Sequence, residues 1–280
     1  MTTVYPFNFH VGPLNVTGYG IMMMVGFLMG GWLMDRDLRE RGLHHEYAAD
    51  MTVAAVIGGI VGAKLWYVAA TGELSSLFSR GGLVWYGGFL GGVTVVLLNG
   101  RRLGVPMRWT MELVAPALPA AYALGRIGCF MVGDDYGVPS SLPWAVKFPQ
   151  GLPPTTAAAL ARDFHVPIQA GVSPETVLAV HPTQLYETIL MLAVFMLLWR
   201  LRKHQKGTGW LFGLYLVLAG AERFLVEFLR AKEDRLFGNF TVAQLTALAI
   251  VLVGGFLMAR WKNAGVVAPG PFLTGNRPAK

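Results

Sequence analysis

Seven apolar stretches, each close to the length of a membrane-spanning helix, constrain the fold of this chain more than any other feature. They lie at approximately 17–35, 48–70, 83–99, 109–131, 184–201, 209–229 and 241–261. A helix needs roughly 20 mostly apolar residues to cross the hydrocarbon core of a bilayer. With 54% hydrophobic and 14% charged residues, the composition does not fit an ordinary soluble domain. The sequence therefore predicts an all-α polytopic membrane protein with seven transmembrane helices.

The positive charges mark one side of the membrane. The net charge is +7, but its lysines and arginines sit in short loops beside the apolar stretches, so we expect no nucleic-acid partner. The loops after the first, third and fifth stretches carry Arg36, Arg39, Arg41, Arg101, Arg102, Arg108, Arg200, Arg202, Lys203 and Lys206. Such loops are usually cytoplasmic, which predicts an N-terminus outside and a C-terminus in the cytoplasm. Arg230, Lys232 and Arg235, after the sixth stretch, are the exception.

One integral membrane domain is predicted, with helices 1–4 in residues 1–132 and helices 5–7 in residues 184–261. Residues 133–183, rich in proline and polar side chains, predict a small extracytoplasmic head with a short helix at Pro154–Phe164. No positive charge precedes the first apolar run, so we expect no cleaved signal peptide. Residues 262–280 are predicted to form a disordered cytoplasmic tail.

Several charged residues recur near the outward ends of different apolar stretches. Arg126 lies near the end of the fourth with Asp134 just beyond it, and the sixth places Arg223, Glu227 and Arg230 on one helical face at i, i+4 and i+7. A charge at membrane depth costs about 2.5–3.5 kcal/mol on insertion scales and normally faces the bundle interior. Guanidinium groups match phosphate oxygens bidentately, so these arginines would suit an anionic lipid headgroup. The alternative is that Arg223 and Glu227 only neutralise each other.

The fifth stretch opens on "HPTQLYE", which offers His181, Gln184 and Glu187, while Tyr19 opens the first stretch. We expect Glu187 to orient an arginine and Tyr19 to contact the headgroup. For His181 the alternative is a loop histidine with a purely local partner.

The stretch "GRIGCFMVGDDYG" resembles the signature of the bacterial prolipoprotein diacylglyceryl transferases, usually G-R-x-G-N-F-x-N-x-E-x-x-G. The matching positions are Gly125, Arg126, Gly128, Phe130 and Gly137. In the family's order, "GYG", "ELVAPALPAAYALGR", "PWAVKFP", "HPTQLYE" and "RFLVEFLR" are also similar to it. The resemblance runs over nearly the whole chain.

The resemblance implies a bacterial inner (cytoplasmic) membrane enzyme. It would move the diacylglyceryl group of phosphatidylglycerol to the lipobox cysteine thiol of a preprolipoprotein signal peptide, releasing glycerol phosphate. No cofactor or metal is expected. The catalytic residues implied are Arg126, Arg223, Glu227, Asp134 and Tyr86. The substrate-binding residues implied are Tyr19, Gly125, Gly128, Gly137, His181, Gln184, Glu187 and Arg230.

The chain departs from the family pattern where the chemistry would be. Tyr86 replaces a histidine, Cys129 and Val132 replace two asparagines, Asp134 replaces a glutamate and Ala219 replaces a tyrosine. A tyrosine with an ordinary pKa near 10 is a poor base at neutral pH. The alternatives are therefore a paralogue with an altered lipid donor or acceptor, or a non-catalytic lipid- or lipoprotein-binding protein. Cys129 could also be an acidified nucleophile, although a lone cysteine more often packs as a small apolar residue.

Overall fold

The computed structural model describes residues 2–12, 14–75, 84–231, 235–237 and 240–275, and within them the chain is mostly helical. Seven long helices are α1 (Gly18–Glu40), α2 (Glu46–Thr71), α3 (Trp85–Arg102), α4 (Met107–Val132), α6 (Thr183–Leu201), α7 (Trp210–Val226) and α8 (Val242–Trp261). One short helix, α5, covers Ala157–Phe164, where the sequence predicts it. Among the described residues, four helices are long and apolar enough to cross a membrane, namely α2, α4, α6 and α8. This confirms a helical membrane protein, and the number of seven spans stays a prediction.

Local sequence explains where several helices begin and end. The hydroxyl of Thr17 accepts a hydrogen bond from the backbone of Gly20 and caps α1. At the start of α8, Thr241 and Gln244 form a reciprocal capping box. Gly133 ends α4 in the left-handed conformation, which costs glycine little. The turn after Gly133 carries the acidic residues of the candidate site.

Helix α4 is the centre of the bundle, since it packs against α1, α6 and α7. Helices α2 and α3 form a close pair at the edge. A Cβ added at Gly62 or Gly91 would collide with the backbone of the facing helix, and one at Gly87 would meet Gly62 and Trp66. Small residues that let helix backbones approach are typical of membrane bundles. The close approach of α2 and α3 therefore gives Gly62, Gly87 and Gly91 a packing role.

The structure also contains short strands, which the all-α prediction did not include. Strand β1 (Thr2–Thr3) pairs in parallel with β4 (Val146–Lys147), β2 (Asn8–Val11) with β3 (Leu14–Thr17), and β5 (Arg235–Phe237) with β6 (Phe240–Thr241). The segment between α4 and α6 has its own apolar cluster of Tyr136, Val146, Phe148, Leu160 and Val180. That cluster gives the segment a small apolar core of its own.

The tail is not disordered as far as Gly275. Phe272 and Leu273 are buried in the main core, and the backbone N–H of His44 donates to the carbonyl of Leu273 at 2.9 Å. The indole of Trp109 donates to the carbonyl of Val267 at 2.8 Å. As far as Gly275 the prediction of disorder was wrong, because apolar side chains of the tail pack into the main core.

Candidate active site

Arg126 is the centre of a buried network. It lies on α4, and its Nε is 2.7 Å from Oε2 of Glu187 while its Nη2 donates to Oε1 at 3.0 Å. Glu187, in the first turns of α6, has a fully buried side chain. The hydroxyl of Tyr122, one turn before Arg126, donates to Oε2 of Glu187 at 2.5 Å. A guanidinium held on two sides by a carboxylate has a fixed plane, so Arg126 presents its remaining N–H groups in a set direction.

A second pair comes from the end of α7. Nη1 of Arg223 is 2.6 Å from Oε2 of Glu227, whose other oxygen accepts from the hydroxyl of Thr241 at 3.1 Å. Arg230 approaches Glu227 at 3.7 Å and Glu187 at 3.6 Å, which joins the two pairs into one cluster. The predicted single helical face was wrong, because α7 ends at Val226 and a 3-10 turn, Glu227–Leu229, leads to an extended Arg230. The three side chains meet nevertheless.

Asp135, rather than the predicted Asp134, provides the third carboxylate. Nη1 of Arg126 donates to its Oδ2 at 3.0 Å, and Nη2 of Arg230 donates to its Oδ1. Asp135 has a φ of 55°, which few residue types other than glycine and aspartate or asparagine adopt readily. Asp134 lies instead beside the thiol of Cys129, and burial together with the charge of Asp135 raises the pKa of Asp134 to about 6.

The start of α6 holds the acidic turn in place. The amide of Gln184 donates to the carbonyl of Asp134 at 2.5 Å, and the hydroxyl of Thr183 donates to the carbonyl of Asp135 at 2.9 Å. His181 lies 3.3 Å from the hydroxyl of Tyr186, and partial burial lowers the pKa of His181. Gln184 therefore contacts the backbone of the acidic turn. The contact of His181 with Tyr186 fits the alternative that His181 is a loop histidine with a local partner.

The glycines of the signature allow close packing. A Cβ at Gly128 would lie 3.0 Å from the Cα of Tyr19, so α1 approaches α4 at this point. Gly125, which also lies on α4, faces Met23 of α1. A Cβ at Gly137 would collide with the carbonyl of Leu229, and the backbone of Gly137 bridges to Arg230. These contacts give the glycines a positioning role around Tyr19 and Arg230.

Tyr19 and Tyr86 differ in their surroundings. The phenol of Tyr19 lies within electrostatic reach of Arg126, Cys129 and Asp134, with 38% of the residue exposed. Tyr86 lies in the first turn of α3, which packs mainly on α2, and 61% of the residue is exposed. Tyr86 therefore lies on a different pair of helices from Arg126, which is on α4.

Sequence reasoning missed several members of this region. Tyr122 could have been found from its position one turn before Arg126, and Asp135 from its position beside Asp134. Glu222, next to Arg223, is only 6% exposed, and its Oε1 has no hydrogen-bond partner in the described part of the chain. Its carboxyl interacts electrostatically with Glu187. A buried carboxyl oxygen that lacks a hydrogen bond is costly, so this oxygen of Glu222 should destabilise the folded protein.

The donor atoms of Cys129, Asp134 and Asp135 lie within 4.8 Å of one another, a grouping that sequence spacing did not suggest. The guanidinium of Arg126 contacts both the thiol, at 3.4 Å, and Asp135. The positive charge of Arg126 therefore already lies beside two of these three groups, which disfavours a second cation there.

Comparison with known proteins addresses the resemblance directly. The sequence profile of the family described as prolipoprotein diacylglyceryl transferase matches residues 6–260. The chain belongs to this family. A phosphatidylglycerol–prolipoprotein diacylglyceryl transferase of Nitratidesulfovibrio vulgaris is 31% identical, with 94% of this chain and 97% of the relative covered. The transferase of the same name from Clostridium tetani is 30% identical, with 90% of this chain and 96% of the relative covered. The one from Vibrio vulnificus is 31% identical, with 91% of this chain and 90% of the relative covered. Membership in the prolipoprotein diacylglyceryl transferase family confirms the resemblance and the transferase class.

Proposed function

We propose that this chain transfers the diacylglyceryl group of phosphatidylglycerol to the lipobox cysteine thiol of preprolipoproteins, the first step of lipoprotein maturation. Family membership supports this reaction, and the observation that carries it is the cluster of Arg126 and Arg230, which are buried, with the partly buried Arg223. Buried guanidinium groups at the end of membrane helices are expensive and match the phosphate of an anionic lipid.

The reaction is a displacement at carbon. The substrate thiolate attacks the glycerol carbon next to the phosphate, a C–S bond forms, and the C–O bond breaks with its electron pair leaving on glycerol phosphate. Negative charge therefore grows on the phosphate oxygens in the transition state. Arg126 and Arg223 would stabilise this charge, and Glu187 and Glu227 would hold the two arginines in place.

The thiol proton needs an acceptor, because the thiolate is the competent nucleophile. Asp134, with a pKa of about 6, would be an ionised carboxylate at neutral pH next to the arginine cluster. We assign it the proton-accepting role in place of Tyr86. Tyr19 would contact the lipid headgroup at the rim.

We also propose the topology that the charges favour. Seven helices would span the bacterial inner membrane with the N-terminus outside, residues 133–183 as an extracytoplasmic head and residues 262–280 in the cytoplasm. Support comes from the grouping of charged residues at two opposite ends of the helices, since Arg126, Glu187 and Arg230 cluster at one end of the bundle. At the other end lie the ion pairs of Asp37 with Arg41 and Arg202.

The test is a mass-shift assay with purified protein in detergent, phosphatidylglycerol and a synthetic lipobox peptide. A thioether-linked diacylglyceryl peptide is expected from the wild type and not from Arg126→Ala. The matched control is Arg162→Ala, which removes an arginine from the exposed surface of α5 and should leave turnover intact. Product from Arg126→Ala, with the protein folded, would refute the role of Arg126.

A further variant separates the alternatives that the departures from the family pattern leave open. Tyr86→His restores the residue that is usual in the family. No product from the wild type, together with product from Tyr86→His, would contradict the proposal and favour a binding paralogue. No product from either variant would favour an altered lipid donor or acceptor.

A further inference from the structure

Each arginine of the cluster already has a carboxylate partner. The guanidinium groups of Arg126, Arg223 and Arg230 are paired with the carboxylates of Glu187, Glu227 and Asp135. A phosphodiester that entered without any other change would bring an unpaired negative charge into a buried site, which is strongly unfavourable. Binding of an anionic headgroup therefore requires that one negative charge leave.

Only one of the three carboxylates can leave at low cost. The side chains of Glu187 and Glu227 are 0% and 1% exposed, whereas that of Asp135 is 36% exposed. The carboxylate of Asp135 already lies partly in water, which lowers the cost of releasing it from the two arginines. Its backbone carbonyl accepts from the hydroxyl of Thr183, which holds the turn in place.

The contacts of Asp135 are those that a phosphate would make. Its two oxygens each accept from a different guanidinium, Arg126 on one side and Arg230 on the other. A phosphodiester monoanion bound between two arginines would likewise place one oxygen on each guanidinium group. The carboxylate and the phosphodiester both carry a single negative charge, so the exchange of one for the other leaves the net charge of the cluster unchanged.

We propose that Asp135 occupies the phosphate position between Arg126 and Arg230 and competes with the lipid headgroup, so that it sets the affinity for anionic phospholipid. The inference rests on the proposed function, because it takes phosphate as the group that binds the arginines. Asp135 acts as a specificity-determining residue: an anionic headgroup can displace it, and a headgroup without net charge gains nothing by doing so.

The test is equilibrium binding of labelled phosphatidylglycerol to the purified full chain in a mild, uncharged detergent. Asp135→Asn removes the competing charge and keeps the shape of the side chain. We expect Kd for phosphatidylglycerol to fall by about tenfold, since two charge-assisted contacts no longer have to be broken. Binding of zwitterionic phosphatidylethanolamine should change much less.

Asp134→Asn is the charge-matched comparison, because it removes the same charge one residue away beside Cys129. If Asp134→Asn tightens binding as much as Asp135→Asn, net charge alone is responsible and the proposal fails. Unchanged or weaker binding by Asp135→Asn also overturns it.

Thermal stability gives a second readout that a merely structural ion pair would not produce. Without lipid, Asp135→Asn should unfold at a lower temperature than the wild type, and saturating phosphatidylglycerol should remove the difference. A deficit that persists at saturation would mean that Asp135 keeps its arginines when lipid is bound, which contradicts the exchange. Binding and transfer are measured separately, so absence of product with tighter binding by Asp135→Asn would reject the proposed function and leave this inference standing.

Discussion

Glu187 should be the residue whose removal damages the protein most, for a reason that can be worked out from its contacts. Its carboxylate is fully buried, touches Arg126 through two nitrogen atoms at 2.7 and 3.0 Å and accepts from Tyr122 at 2.5 Å. Truncation to alanine leaves the guanidinium of Arg126 buried with one paired carboxylate, that of Asp135, which is itself partly in water. Breaking a buried pair in this way costs about 3–5 kcal/mol.

The two substitutions at this position should differ. In Glu187→Gln the amide oxygen can still accept hydrogen bonds from Arg126, but the side chain no longer carries the charge that neutralises the buried guanidinium. We therefore expect a loss in unfolding free energy of ~3 kcal/mol for Glu187→Gln and ~5 kcal/mol for Glu187→Ala. Transfer should fall by about 100-fold in Glu187→Gln, because Arg126 loses its fixed orientation.

The assay is unfolding by a denaturing detergent, followed by tryptophan fluorescence, for which the chain offers eight residues. Asp163→Asn is the control, since Asp163 forms an exposed ion pair with Arg162 on α5. If both Glu187 variants unfold like the wild type while Asp163→Asn behaves as a neutral control, the buried network contributes no stability and the reasoning is refuted.

Three further outcomes are expected. The carboxyl of Asp134 has a pKa of about 6, raised by burial and by Asp135 above its ordinary value near 3.8. Protonation of Asp134 should therefore lower transfer as pH falls through about 6. Because the pKa is higher in the folded than in the unfolded protein, the same fall in pH should raise the free energy of unfolding. Asp134→Asn should remove this gain in stability, and pH titrations of turnover and of unfolding measure both effects. Leu273→Ala should cost about 2–5 kcal/mol of unfolding free energy, because Leu273 is fully buried, whereas Val266→Ala, at an exposed position of the same tail, should cost little. Glu222→Leu should raise the unfolding free energy by ~1 kcal/mol, because it removes a buried carboxyl oxygen without a partner; an unfolding free energy below that of the wild type would mean that Glu222 has a partner in the folded protein.

The helices could be predicted from the sequence and much of the site's chemistry could not. Apolar length located the seven long helices to within a few residues, because that signal depends on composition alone. The pairing of Arg126 with Glu187 was only suggested, since the two residues are 61 positions apart and meet through the packing of α4 on α6. The choice between Asp134 and Asp135 depends on a single backbone angle after Gly133, and no pattern in the sequence encodes it. The folded tail was missed because Phe272 and Leu273 are too few to form a periodic signal.

Glu187 and Asp135 share Arg126, which predicts that their substitutions will not be additive. In Asp135→Asn, Arg126 keeps Glu187, and in Glu187→Gln it keeps Asp135, so each single variant retains one carboxylate on the guanidinium. The double variant leaves a buried guanidinium with no carboxylate partner, so its loss of unfolding free energy should exceed the sum of the single losses by about 1–3 kcal/mol. Phosphatidylglycerol should stabilise the double variant more than the wild type, because a bound phosphate would then be the only anion on Arg126. Additive losses would mean that the two carboxylates act on Arg126 independently, and the exchange of carboxylate for phosphate would lose its physical basis.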